Sequence, residues 1–127
     1  MILLDSNALL WLLTADARLG PLCRQRLGSQ TPAYFSPISV VELTIKEMVG
    51  KLRLMGSLPD GARRAGLREL PLTSEHAGAI ASFPELARHD PLDRMLLAQA
   101  RTEGMRLLTS DRRLLAAAPE LTVDARE

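Results

Sequence analysis

Four acidic side chains stand where the chain passes, or is expected to pass, from strand to helix: Asp5, Glu42, Asp93 and Asp111. Asp5 ends the apolar run Ile2-Leu3-Leu4, and Asp111 follows Arg106-Leu107-Leu108-Thr109, a second strand-like segment. Glu42 and Asp93 are expected in the first turns of helices. In an open parallel sheet the carboxyl ends of the strands and the amino ends of the following helices share one edge, where ligands bind. Acids from distant parts of the chain would converge there. Their repulsion would raise their pKa values and cost stability unless a cation sat among them. Magnesium, with manganese as the close substitute, suits a few carboxylates plus water and leaves positions open for phosphate oxygens. One or two such ions can activate a water and stabilise the leaving oxygen of a phosphodiester, so the chemistry indicated is nucleic-acid hydrolysis.

Capping is the competing explanation for each acid taken alone. Ser39-Val40-Val41-Glu42 matches a capping box, Asp90 before Pro91 suits an N-cap, and Asp93 and Asp111 favour the positive end of a helix dipole. Asp5 is the exception, because Ser6 and Asn7 already supply caps. On the capping view the chain is a catalytically inactive α/β interaction module that shows no metal-dependent activity and keeps its partner when any one acid is lost.

The elements that must position these acids read as follows. Ile2–Leu4 suits a strand covered on both faces, with a helix through Leu13 after it. Pro21 opens a short helix, Ala33-Tyr34-Phe35 between Pro32 and Pro37 forms a strand, and a helix from Ser39 ends near Val49 with Gly50 as its stop. Arg68-Glu69-Leu70 is a short strand, Thr73 or Ser74 caps a helix, and Asp90-Pro91 starts a helix that runs to Glu103 and stops at Gly104. Leu121-Thr122-Val123 is an edge strand. Strands alternate with helices throughout, which predicts an α/β layered fold with a mostly parallel sheet.

Composition bounds the answer. The chain has 127 residues, 46% of them hydrophobic and 24% charged, enough for the core of a single domain over residues 1–127. Sixteen Lys and Arg against fifteen Asp and Glu exclude a histone-like binder, and four aromatics (Trp11, Tyr34, Phe35, Phe83) make a base-stacking platform improbable on counting alone. Between Lys51 and Leu70, however, five basic residues face two acidic ones, a local patch for phosphates. Cys23 is the only cysteine, so no intrachain disulfide or cysteine zinc site forms, and a reducing cytoplasm is the expected setting. Ala8–Leu13 is too short for a signal sequence or membrane span, and the chain reads as beginning at its mature residue. The helix around Trp11-Leu12-Leu13 is apolar all round, so part of it is expected to serve a homodimer or protein-partner contact. His76 and His89 are too few to indicate a histidine site.

Leu3-Leu4-Asp5-Ser6-Asn7-Ala8-Leu9-Leu10-Trp11, Ser39-Val40-Val41-Glu42-Leu43 with the later Gly50-Lys51-Leu52, the block His89-Asp90-Pro91-Leu92-Asp93-Arg94-Met95-Leu96-Leu97-Ala98-Gln99-Ala100, and Leu108-Thr109-Ser110-Asp111 together resemble the PIN-domain ribonucleases. More narrowly they resemble the VapC toxins of bacterial and archaeal toxin–antitoxin pairs. The resemblance spans nearly the whole chain in order. It implies a three-layer α/β/α PIN-like fold around a central, mostly parallel sheet, magnesium- or manganese-dependent endonuclease activity on RNA, and inhibition by a co-encoded antitoxin protein. Motif by motif, the family's acidic quartet falls on Asp5, Glu42, Asp93 and Asp111, with Asn7 and Ser110 as hydrogen-bonding support and Asp90 as cap or outer ligand. The family's first motif commonly has Thr where Ser6 stands, which keeps the hydroxyl. Two other phosphate-chemistry families that start with a strand and an aspartate fit less well. A haloacid-dehalogenase-type enzyme needs a second aspartate where Asn7 stands, and a response-regulator receiver needs adjacent acids after its first strand.

Overall fold

The computed structural model describes residues 1–127. Five strands, β1 (Ile2–Leu4), β2 (Ala33–Phe35), β3 (Arg68–Glu69), β4 (Arg106–Thr109) and β5 (Thr122–Asp124), form one sheet in the order β3-β2-β1-β4-β5. Every neighbouring pair is parallel. Leu3 lies opposite Tyr34 on one side and Leu107 on the other, so β1 is central and must be apolar on both faces. Seven helices cover the sheet: α1 (Ser6–Leu13), α2 (Pro21–Leu27), α3 (Pro37–Met48), α4 (Leu58–Arg64), α5 (Ser74–Gly78), α6 (Pro91–Glu103) and α7 (Arg112–Ala117).

Two apolar layers result from the period-two alternation of the strands. Ile2, Leu4, Phe35, Leu108 and Val123 pack with Leu9 and Trp11 of α1, Cys23 of α2, Leu43 of α3 and Ala62 of α4. Leu3 and Leu107 point the other way, onto Leu96, Leu97 and Ala100 of α6 and Leu114 of α7. This is the expected three-layer α/β/α architecture, with the sheet parallel throughout. The α6 helix ends where the sequence places its stop, at Gly104, whose left-handed backbone (φ 67°) carries no side-chain penalty.

Two helix starts differ from expectation. The first helix begins at Ser6 with Asp5 itself as N-cap, its carboxylate accepting the Ala8 N–H at 2.8 Å. The third begins at Pro37, where Ser36 caps it by accepting the Ile38 N–H at 3.1 Å. Proline at the first helical position fixes that start. Ser39 is consequently inside the helix, the Ser39–Glu42 capping box does not form, and Glu42 sits in the second turn.

The strand order reverses between β1 and β4: the chain runs outward through β2 and β3, then returns beside β1. At that reversal the carboxyl ends of β1 and β4 are joined by the Asp5 N–H donating to the Leu108 carbonyl at 3.0 Å. The crevice beyond a reversal of this kind is where open parallel sheets hold ligands.

Candidate metal centre

Asp5 leaves β1 at the crevice, and Asp111 leaves β4 beside it. Asp111 caps α7, accepting the Arg113 and Leu114 N–H groups at 2.8 and 3.2 Å. Thr109, fully buried at the end of β4, links the two acids: its hydroxyl accepts the Asp111 N–H at 3.0 Å and hydrogen-bonds the Asp5 carboxylate. Asp93 enters from α6, whose start is held by Asp90 accepting the Leu92 N–H at 2.9 Å, the cap that Asp90-Pro91 announces. Glu42 enters from α3 with Lys46 one turn on, Nζ to Oε2 3.7 Å.

Electrostatics tie the four together. Burial pushes the Asp5 carboxyl up from 3.8 to about 6; the Thr109 and Ala8 hydrogen bonds oppose this, and the charges of Asp93 and Glu42 add to it. Asp93 is also raised to about 6, first by burial, then by Asp90, Glu42 and Asp111, with His89 opposing. Each acid of the quartet thus feels another, as groups on one edge must and groups on opposite faces of a domain do not.

Sequence reasoning set His89 aside, yet its Nε2 lies 3.2 Å from Asp93 Oδ2 and 3.1 Å from Asp111 Oδ2. The potential ligand atoms of His89, Asp93 and Asp111 all lie within 4.8 Å of one another. His76, by contrast, is structural: its Nδ1 accepts the Thr73 N–H at 3.0 Å, and Nε2 meets Glu103 at 2.8 Å. Asn7 is exposed, and the side chain that supports the acids from β4 is Thr109.

Hard carboxylate oxygens dominate the donor set, which fits magnesium or manganese. The Ser6 hydroxyl beside Asp5, and the Ser39 hydroxyl one turn before Glu42, are buried without a protein partner. Buried polar atoms normally find one, so two orphans on the helices that carry the acids suit a site completed by a cation and its water.

The basic stretch divides in two. Arg63 pairs with Asp60 at 3.7 Å and Glu69 at 3.2 Å. Arg53 and Arg64 instead line a cavity of about 630 Å³ with Leu12, Leu13, Leu54 and Met55, at the end of α1 away from Asp5. Val41, Ile45, Met48 and Val49 form an exposed apolar stripe along α3.

The fold is a parallel α/β/α protein with a group of possible metal ligands, His89, Asp93 and Asp111, at its strand reversal, and with Asp5 and Glu42 outside that group but close enough to act on its charges. Comparison narrows this. The family model described as the PIN domain matches residues 2–120, and the chain belongs to that family. Among solved structures it is similar to VapBC2 from Rickettsia felis bound to a promoter DNA fragment (TM-score 0.70, 16% identity, 98% of this chain and 100% of that one). It is likewise similar to a toxin–antitoxin complex from Klebsiella pneumoniae (0.68, 18%, 100% and 99%) and to FitAcB from Neisseria gonorrhoeae (0.62, 23%, 98% and 98%). At these identities the likeness is one of fold. No curated protein sequence matches. No helix is long and apolar enough to cross a membrane.

Proposed function

We propose that the chain, acting as one unit over residues 1–127, is a magnesium- or manganese-dependent endoribonuclease and the toxin of a toxin–antitoxin pair. What supports this reading is that Asp5 feels the charges of Asp93 and Glu42, and Asp93 those of Glu42 and Asp111, in a member of the PIN domain family whose Asp93 and Asp111 also share a ligand-sized group with His89. When bound, the ion would supply charge neutralisation at a phosphodiester and an acidified attacking water. The chain's own residues hold the geometry. Thr109 and the Ala8 N–H fix the Asp5 carboxylate, α7 orients Asp111, Asp90 fixes the helix start that aims Asp93, and Lys46 steadies Glu42.

The rival reading, acids as caps in an inactive interaction module, accounts for Asp5, Asp90 and Asp111, each of which does cap a helix. It leaves Asp93 only the dipole of α6 and Glu42 only its ion pair with Lys46, and gives neither a reason to face the other acids. The two readings separate on Asp93→Asn. On the nuclease reading, purified folded Asp93→Asn protein fails to cut a labelled RNA that wild type cuts in magnesium and leaves intact in EDTA. Cleavage by Asp93→Asn at the wild-type rate would refute the assignment.

The toxin role implies an antitoxin, and the surface suits one. The acidic crevice attracts a lysine or arginine as readily as a cation. The apolar helix ends around Trp11 and Val49, including the cavity by Leu12 and Leu13, offer anchorage for nonpolar side chains. Antitoxin affinity should therefore fall for Asp5→Asn, and excess magnesium should compete with the inhibitory tail, both measurable by titration. An affinity indifferent to both would place inhibition on a surface away from the crevice. The homodimer belongs to the same proposal and is read by sedimentation.

A further inference from the structure

His89 is the one nitrogen donor among the oxygen ligands of the crevice, and it is more fixed than a chance neighbour would be. Its side chain is 8% exposed, and its backbone N–H is tied to the Leu86 carbonyl at 2.9 Å, just ahead of the Asp90 cap. From there the ring reaches between two elements, with Nε2 at 3.2 Å from Asp93 on α6 and 3.1 Å from Asp111 at the start of α7.

These separations have a second meaning. Around a six-coordinate ion with ligands at about 2.1 Å, adjacent ligand atoms lie about 3 Å apart. Nε2 therefore stands at that spacing from each of the two Oδ2 atoms, and all three potential ligand atoms lie within 4.8 Å of one another. Carboxylate oxygens alone serve magnesium well, whereas imidazole nitrogen adds affinity for first-row transition metals and little for magnesium. We propose that His89 is a nitrogen ligand of the cation site, joining Asp93 and Asp111, and that it shifts the preference of the site from magnesium toward manganese. In this role the ring presents the Nε2 lone pair to the cation, with the remaining hydrogen on Nδ1. The inference rests on the cation-site reading above and deepens it.

The test uses the full chain, stripped of metal, with manganese and magnesium alone as probes. Manganese binding is read from the electron paramagnetic resonance of the free aquo ion, and magnesium by calorimetry. Wild type should bind both, and His89→Ala should lose about tenfold or more in manganese affinity while its magnesium affinity changes by less than about threefold. Pulsed resonance on manganese-loaded wild type should show imidazole nitrogen coupling, a signature that needs no variant and so survives a poorly folding one. Absence of that coupling, an equal loss for both ions, or tighter manganese binding by His89→Ala would overturn the proposal. If wild type and His89→Ala bind manganese alike while Asp93→Asn binds neither ion, the nitrogen ligand alone is wrong. If wild type binds neither ion, the cation site itself falls, and this inference with it.

Discussion

Asp5→Asn is expected to give a protein that cuts no RNA and yet, without divalent metal at pH 8, unfolds at a higher temperature than wild type. The carboxylate sits buried at the crevice, and its pKa is raised from 3.8 to about 6. A folded-state pKa above the unfolded one means that the folded chain holds its proton more tightly. Below about pH 4 both states are protonated and Asp5 has no pH-linked effect. As pH rises from about 4 to 6 the unfolded state ionises first and stability is lost, by about 3 kcal/mol at most once both are ionised. Asparagine never ionises, keeps an oxygen for the Ala8 N–H and the Thr109 hydroxyl, and is as good a cap as aspartate. Thermal melts in EDTA should therefore show a gain for Asp5→Asn at pH 8 that vanishes at pH 4. If the variant melts lower at pH 8, Asp5 stabilises the fold as a charged cap, and the picture of a strained, cation-seeking acid is wrong.

The second large effect is expected at a residue with no chemistry of its own. Gln99 is fully buried on α6. Its Oε1 accepts the Ser36 hydroxyl at 2.5 Å, and its Nε2 donates to the Leu70 and Pro71 carbonyls at 3.3 and 3.5 Å. Ser36 is the cap of α3, so this one amide ties the helix that carries Asp93 to the helix that carries Glu42. Gln99→Leu keeps the approximate volume but strands a buried hydroxyl and a buried carbonyl, which should cost about 2–4 kcal/mol in urea unfolding. Pairing it with Ser36→Ala should cost less than the two changes summed, because Ser36 then has no hydroxyl left to strand. The remaining folded Gln99→Leu protein should bind manganese about tenfold more weakly, as supporting residues of metal sites do when lost. Unfolding within about 0.5 kcal/mol of wild type would mean that the amide does not hold the two helices together.

Most of the frame was legible in the sequence because its signals are local. Short apolar runs mark β1 and β4, the proline-bounded Ala33-Tyr34-Phe35 marks β2, Asp90-Pro91 and Gly104 bracket α6, and Thr73 caps α5 as expected. Asp5 and Asp111 were legible because they follow strands, and Asp93 because it follows the Asp90-Pro91 helix start. What escaped was decided by competition or by tertiary contact. Ser6 and Asn7 are good caps by type, but Asp5 took the position since the backbone turns immediately after β1, and the Ser39–Glu42 capping box lost to the Ser36 cap three residues upstream, fixed by Pro37. His89 could not be weighed from sequence, since its partner Asp111 lies 22 residues away and only the return of the chain to β4 brings them together. The same return buries Thr109 between Asp5 and Asp111, and Gln99 reads as one more polar residue of an amphipathic helix until Ser36, 63 residues distant, packs against it. The hydrophobic signal places α6, and the polar contact inside it is visible only after folding.

The central claim is that Asp5 at the end of β1, Glu42 on α3, Asp93 on α6 and Asp111 at the start of α7 make one cation site at the β1–β4 crevice. Diffraction from crystals of the chain soaked in manganese, collected at a wavelength where manganese scatters anomalously, tests it most directly. The account predicts an anomalous peak in that crevice within about 2.0–2.4 Å of carboxylate oxygens drawn from Asp5, Glu42, Asp93 and Asp111. A crevice without a peak at saturating manganese, or a peak held only by acids outside this quartet, would contradict it.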